Sequence, residues 1–158
     1  MTAAIREGLV VLVAPLALMI AASQQKPDFS GEWTLNREAS TLSPAASGIR
    51  SGTWRIEHRE PLFRYQAKMI ADGNPIEYAY ELSTDGREVA ATQGGRSSVS
   101  SLRWDGDALV FTGVINGQTG DLRITFRYEL QDGGRRLRAV EQIRGTREQD
   151  NVWIFERQ

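Results

Sequence analysis

His58 is the only histidine in the chain, and there is no cysteine. Sites built from several imidazoles or from thiolates are therefore excluded, as are a cysteine nucleophile, a disulfide framework and a cysteine-linked lipid anchor. His58 would serve as a general base only if a carboxylate such as Glu141 oriented it. Its place beside Arg59, where an alternating stretch ends, reads more simply as a turn residue. Serines are numerous, but no Gly-x-Ser-x-Gly elbow accompanies them. Asp72, Asp85, Asp105, Asp107 and Asp132 each stand next to a glycine. Turn geometry accounts for that placement, because Asp tolerates these backbone conformations and bonds its own backbone. None has the spacing of a calcium loop, and Gln93-Gly94-Gly95-Arg96 lacks the spacing and the lysine of a phosphate loop. These residues assign no catalytic group, no metal ligand and no cofactor.

The aromatic residues carry more. Tyr65, Tyr78, Tyr80 and Tyr128 each fall on the apolar face of an alternating stretch, with Trp54, Phe63, Phe111 and Phe126. Tyrosine joins packing area to a hydroxyl that needs a partner when buried. Such a set suits a small-molecule pocket, with hydroxyls for a ligand's polar end and rings for its apolar part. Glu141 is in step with Leu137 and Ala139 and is expected to point the same way. A buried carboxylate needs a partner, and an inward Arg or Tyr is the one expected. The expected ligand-facing set is thus Tyr65, Tyr78, Tyr80, Phe111, Phe126, Tyr128 and Glu141. The same side chains would equally fill a narrow interior. Arg123, Arg127, Arg136 and Arg138 alternate with apolar positions and belong on a solvated face, paired with Glu129 and other carboxylates.

These side chains must be positioned by strands. Glu32 to Leu35 is the first. Arg37 to Gly48 is the least strand-like stretch; Pro44 and Gly48 bar a long helix, and it reads as a lid, a plug or a surface loop. From Ser51 the period is two. Trp54, Ile56 and His58 share one face, then Phe63, Tyr65, Ala67 and Met69, then Ile76, Tyr78, Tyr80 and Leu82. Arg59-Glu60-Pro61 and Ala71 to Pro75 are the turns between them. Arg87 to Thr92 is a weaker strand, and Gln93 to Ser98 reads as a flexible connection. Asp105-Gly106 signals a hairpin. Leu122 to Leu130 is the clearest strand, Arg135 to Ile143 follows, and Asn151 to Arg157 closes the chain. About ten short strands joined by hairpins predict a single all-β domain, an antiparallel up-and-down barrel of 8–10 strands. A domain without disulfides gains from such closure, which leaves no unpaired edge.

The chain has 158 residues, 41% hydrophobic and 25% charged, with a formal net charge of −1. That balance exerts no global pull on nucleic acid or on an anionic membrane. Leu9 to Ala22 is an apolar run preceded by Arg6 and followed by Ser23-Gln24-Gln25. It is shorter than the roughly 20 residues of a membrane span and has the three-part pattern of a signal peptide. Residues 1–23 are therefore expected to be removed and 24–158 to form the barrel, exported to a periplasm or secreted, without stable membrane insertion. An uncleaved anchor is the competing reading.

Phe29-x-Gly31-x-Trp33-x-Leu35 resembles the opening of the lipocalin and fatty-acid-binding-protein barrels, the calycins. Families of uncharacterised exported bacterial proteins open in a similar way and end in a short aromatic-Glu-Arg strand, as Phe155-Glu156-Arg157 does here. The resemblance implies that Trp33 closes one end of the barrel, that Gly31 lets the chain bend there, and that Arg157 packs across the indole. It also implies a small, mainly apolar ligand inside. Two features depart from the pattern: the further lipocalin motifs and disulfide are absent, and Arg37 to Gly48 is too short for the paired helices that cap fatty-acid-binding proteins. Two other readings stay open, an interaction or structural barrel with a filled interior and a small isomerase or cyclase. The sequence carries no signal of oligomeric state.

Overall fold

The alternation read from the sequence becomes ten strands in the computed structural model, which describes residues 25–93 and 95–158. The apolar run from Leu9 to Ala22, with the export and cleavage expected of it, lies outside the described residues. The strands are β1 (Gly31–Leu35), β2 (Ile49–Arg59), β3 (Leu62–Ala71), β4 (Asn74–Ser83), β5 (Val89–Gln93), β6 (Arg96–Asp105), β7 (Ala108–Ile115), β8 (Leu122–Gln131), β9 (Arg136–Gly145) and β10 (Gln149–Arg157). They form one antiparallel sheet in the order β4-β3-β2-β1-β10-β9-β8-β7-β6-β5. Apart from β4 and β5, neighbours in sequence are neighbours in the sheet, and β1 joins the chain's two ends by pairing with β10. This is an up-and-down meander curled into a barrel.

The barrel is not hydrogen-bonded all the way round, as closure without edges would require. β4 and β5 are the two ends of the strand order and do not pair. Their sequences show why. Arg87 and Glu88 separate them by more than a tight turn, β5 has only 5 residues, and Pro75 within β4 lacks the N–H of a central strand. Side chains span the gap instead: the Tyr80 ring of β4 stacks on Phe111 of β7 at 5.1 Å. Below them, the β4–β5 connection bridges to β6 between Asp85 and Arg103.

Several strand boundaries differ from the sequence reading, two of them at glycine turns. Arg96 to Ser98, expected in a flexible connection, belongs to β6 and pairs with β5. Asn74 and Pro75, expected in a turn, open β4. In both places a glycine turn is tighter than the polar run around it suggests. Asp72 and Asp132 do take the left-handed conformations expected of them, with φ of 50° and 52°.

An antiparallel meander puts alternate connections at opposite ends. One end carries the lead-in to β1 and the turns β2–β3, β6–β7 and β8–β9. It is packed solid. Phe29, Trp33, Phe63, Leu102, Leu109, Leu137 and Phe155 are wholly buried. The Arg157 guanidinium lies 4.3 Å from the centre of the Trp33 ring, and the indole N–H donates to the Phe29 carbonyl at 3.1 Å. Gly31 has φ of 143°, and a Cβ there would meet Arg157 Nη1 at 3.0 Å. The positive φ is what calls for glycine, and a side chain there would also crowd the guanidinium. The other end carries the 36–48 connection and the turns β3–β4, β5–β6, β7–β8 and β9–β10.

Candidate functional site

Toward that second end the inward side chains no longer meet in the middle. They enclose a cavity of about 430 Å³. Tyr65 of β3, Tyr78 and Tyr80 of β4, Phe111 of β7, Phe126 and Tyr128 of β8 and Glu141 of β9 all line it. The structure thus gathers all seven residues singled out from the sequence. Tyr78 differs from its companions: it is 60% exposed. It lies on the unpaired edge strand, at the rim, rather than inside.

The rings form two stacks that meet edge-on between Phe111 and Phe126. Tyr65 lies on Tyr80 at 4.7 Å, Tyr80 on Phe111, and Phe126 parallel to Tyr128 at 5.5 Å. Trp54 meets Tyr65 edge-on at 5.2 Å. The hydroxyls of Tyr80 and Tyr128 bond each other at 3.2 Å. Burial pushes the phenol pKa values of Tyr65, Tyr80 and Tyr128 upward. These phenols are therefore neutral, and their hydroxyl protons stay in place as donors.

Glu141 points inward as its register with Leu137 and Ala139 requires, but its partners are neither Arg nor Tyr. Asn151 Nδ2 donates to its Oε2 at 2.7 Å, and Trp153 Nε1 donates to the same oxygen at 3.0 Å. Burial raises the Glu141 pKa, outweighing these two donors and the nearby charge of Arg147. Asn151 and Trp153 were not singled out in the sequence. The signal was there: Asn151, Trp153 and Phe155 alternate along β10, so an inward Trp153 and Phe155 carry Asn151 inward with them.

The 36–48 connection is stitched down rather than free. Thr41 exchanges backbone hydrogen bonds with Val152, both 2.8 Å. Ser40 Oγ accepts from the Ile154 N–H, and the Ser43 N–H donates to Asn151 Oδ1 at 2.7 Å. It then forms a 3-10 turn at Pro44–Ala46 whose buried Ala46 lines the cavity. Of lid, plug and surface loop, it is a fixed partial lid.

Solved structures of the same shape include human cRBP IV (18% identity, 84% of this chain and 99% of that one, TM-score 0.53). Secretory abundant heat soluble protein 4 from Ramazzottius varieornatus is also similar (15%, 86% and 99%, 0.55). So is zebrafish ileal bile acid-binding protein, complexed with cholic acid (13%, 82% and 98%, 0.52). The fold is that of a lipocalin-like, calycin-type barrel. No protein-family model matches the sequence, and no curated protein matches it.

In this lipocalin-like barrel His58 is not part of the cavity wall. It belongs to β2, its side chain is 3% exposed, and it packs among Phe29, Phe63 and Trp104 at the solid end. It is a buried network residue rather than a turn residue. The Phe29 N–H donates to Nδ1 at 3.3 Å, so Nε2 carries the proton and donates to Glu60 at 2.8 Å. Glu60 also accepts from Trp104 Nε1 at 2.9 Å and Thr84 Oγ1 at 2.6 Å. Burial alone would raise the Glu60 pKa, but the donors Thr84, His58 and Trp104 together hold it below the ordinary value. The carboxylate that pairs with His58 is Glu60 rather than Glu141, and the pair lies at the solid end, outside the lining of the cavity. On the outer wall, Glu129 bonds Arg127 at 2.8 Å and Arg138 at 3.0 Å, the solvated pairing expected there.

Proposed function

We propose that this protein is an exported carrier that holds a small, mainly apolar molecule inside its barrel. The observation that carries the reading is the cavity of about 430 Å³ walled by aromatic and aliphatic side chains, with polar side chains such as Glu141 and Asn151 set among them. That volume is within the range of small-molecule pockets, which are mostly apolar with a few placed polar atoms. Zebrafish ileal bile acid-binding protein, of like fold, is complexed with cholic acid, so a barrel of this kind accommodates such a molecule. Export is supported by the Leu9 to Ala22 run and the small residues after it.

Two measurements test the proposal. A neutral apolar fluorophore, N-phenyl-1-naphthylamine, should brighten and shift to the blue on binding one equivalent of protein. Filling the cavity with Ile124→Trp should abolish that response while leaving the circular dichroism spectrum intact. No response from the wild type, or an undiminished one from the variant, refutes internal binding. Intact-mass analysis of protein recovered from the producing cells should show a chain beginning near Gln24. Recovery of the full-length chain in the cytosol alone refutes export.

A further inference from the structure

The cavity's polar atoms specify what kind of molecule it takes, an inference that rests on the internal-binding reading above. Glu141 is held in one pose by a relay that starts in the lid. The Ser43 N–H occupies Asn151 Oδ1, which fixes the amide so that Nδ2 faces the carboxylate. Asn151 is 1% exposed, and turning its amide over would set its NH2 against the Ser43 N–H, donor to donor. Trp153 Nε1 adds a second donor to the same oxygen. Both therefore converge on Oε2, and among the described residues none donates to Oε1. An ionised carboxylate accepts hydrogen bonds and offers none. One half of its capacity is committed to the protein, and the other half is left at the cavity wall.

We propose that Glu141 is the head-group acceptor of this cavity, and that its ligand is an apolar molecule bearing a hydroxyl or amino donor rather than a carboxylate. The charges nearby agree. Among the described residues the lining contains a single cation, Arg147, which is exposed on the β9–β10 turn. None of them sets a guanidinium fork among the inner rings, where an anionic head would need one. A carboxylate brought beside Glu141 would add like charge in a poorly solvated place. The neutral phenol of Tyr65 lines the same cavity as Glu141. A hydroxyl both donates and accepts, so an alcohol offers a partner to a phenol as well as to Oε1. An amine would use the acceptor alone, with its charge complementing that of Glu141.

A chain-matched series tests this on the whole protein. Bound N-phenyl-1-naphthylamine is displaced with decan-1-ol, decylamine or decanoate at pH 7.5, below micelle formation. The alcohol or the amine should displace the probe at roughly tenfold lower concentration than decanoate, the worth of one charge-assisted hydrogen bond. Alcohol ahead of amine identifies a neutral head; amine ahead of alcohol identifies an ion pair. Glu141→Gln, nearly isosteric, should shrink the advantage over decanoate to within about threefold. Decanoate displacing as well as the others overturns the assignment, and so does an unchanged ranking in the variant. The wild-type ranking does not depend on how the variant folds. Failure of the probe itself to bind would count against internal binding, not against the head-group assignment.

Discussion

Glu60 and Glu141 each accept an indole N–H within the same barrel, but the two ends treat them in opposite ways. At the solid end both Glu60 oxygens are occupied: Oε1 by His58 and Trp104, Oε2 by Thr84. These donors come from β2, β6 and the connection after β4, so one carboxylate ties together strands on both sides of the unpaired gap. At the hollow end Asn151 and Trp153 crowd one oxygen of Glu141 and leave the other. Glu60, partly open to water but saturated with donors, helps hold the fold together, whereas a more deeply buried acid with one oxygen unpartnered costs stability unless something else completes it. The contrast separates the solid end from the hollow one.

The widest separation should come from the core. Trp33→Ala removes a wholly buried indole and is expected to cost about 3–5 kcal/mol. Phe111→Ala, in the cavity wall, should cost about 1–3 kcal/mol, because its ring already borders empty space. Urea unfolding midpoints measure both, and equal losses would erase the distinction between solid and hollow ends. Next comes Glu60→Ala, which strands the His58, Trp104 and Thr84 donors. We expect about 1–2 kcal/mol, because the site is partly open to water. The His58 ring resonances should shift in the proton NMR spectrum. Unmoved resonances would show that the network does not hold the ring. Smaller again is Arg157→Ala. Its share through the indole should appear as a coupling of about 0.5–1 kcal/mol in a double-mutant cycle with Trp33→Phe. Additive losses would leave Arg157 acting through its hydrogen bonds to the Gly134, Ser30 and Asp28 carbonyls.

The strands and the cavity wall were legible because both rest on a period of two. Tyr65, Tyr80, Phe126 and Tyr128 alternate with polar residues, and alternation alone puts them inside. Trp33 and Arg157 were legible only by resemblance, since no spacing connects residues that far apart. What escaped depended on pairing across the sheet. Nothing local to Asn151 says that β10 brings it beside Glu141, or that Ser43 fixes its amide. Nothing local to His58 shows that the lead-in segment covers it. The gap between β4 and β5 was hidden because a strand's partner is a property of the whole meander, and a weak strand such as Val89–Gln93 looks the same paired or not.

The finest division between the two ends is the sign of their pH dependence. Glu60 has a folded pKa below the ordinary value, so the folded state gives up its proton first as pH rises. Its contribution is complete above the unfolded value, near 4.5, and is lost as pH falls through the folded one. Glu141 has a folded pKa above the ordinary value, so the folded state keeps its proton longer. Its contribution is complete below about 4.5 and is lost as pH rises through the raised folded value. Glu141→Gln keeps the shape and an acceptor for Asn151 or Trp153 while removing the titration. Relative to wild type without ligand, the variant should therefore gain stability as pH climbs from 4 to 7. Glu60→Gln should lose stability relative to wild type as pH climbs toward about 4.5 and then level off. Urea midpoints at half-unit steps would show two difference curves of opposite slope. Parallel curves would mean that the hollow end carries no penalty for its acid, and the reason for a ligand to complete Glu141 would disappear with it.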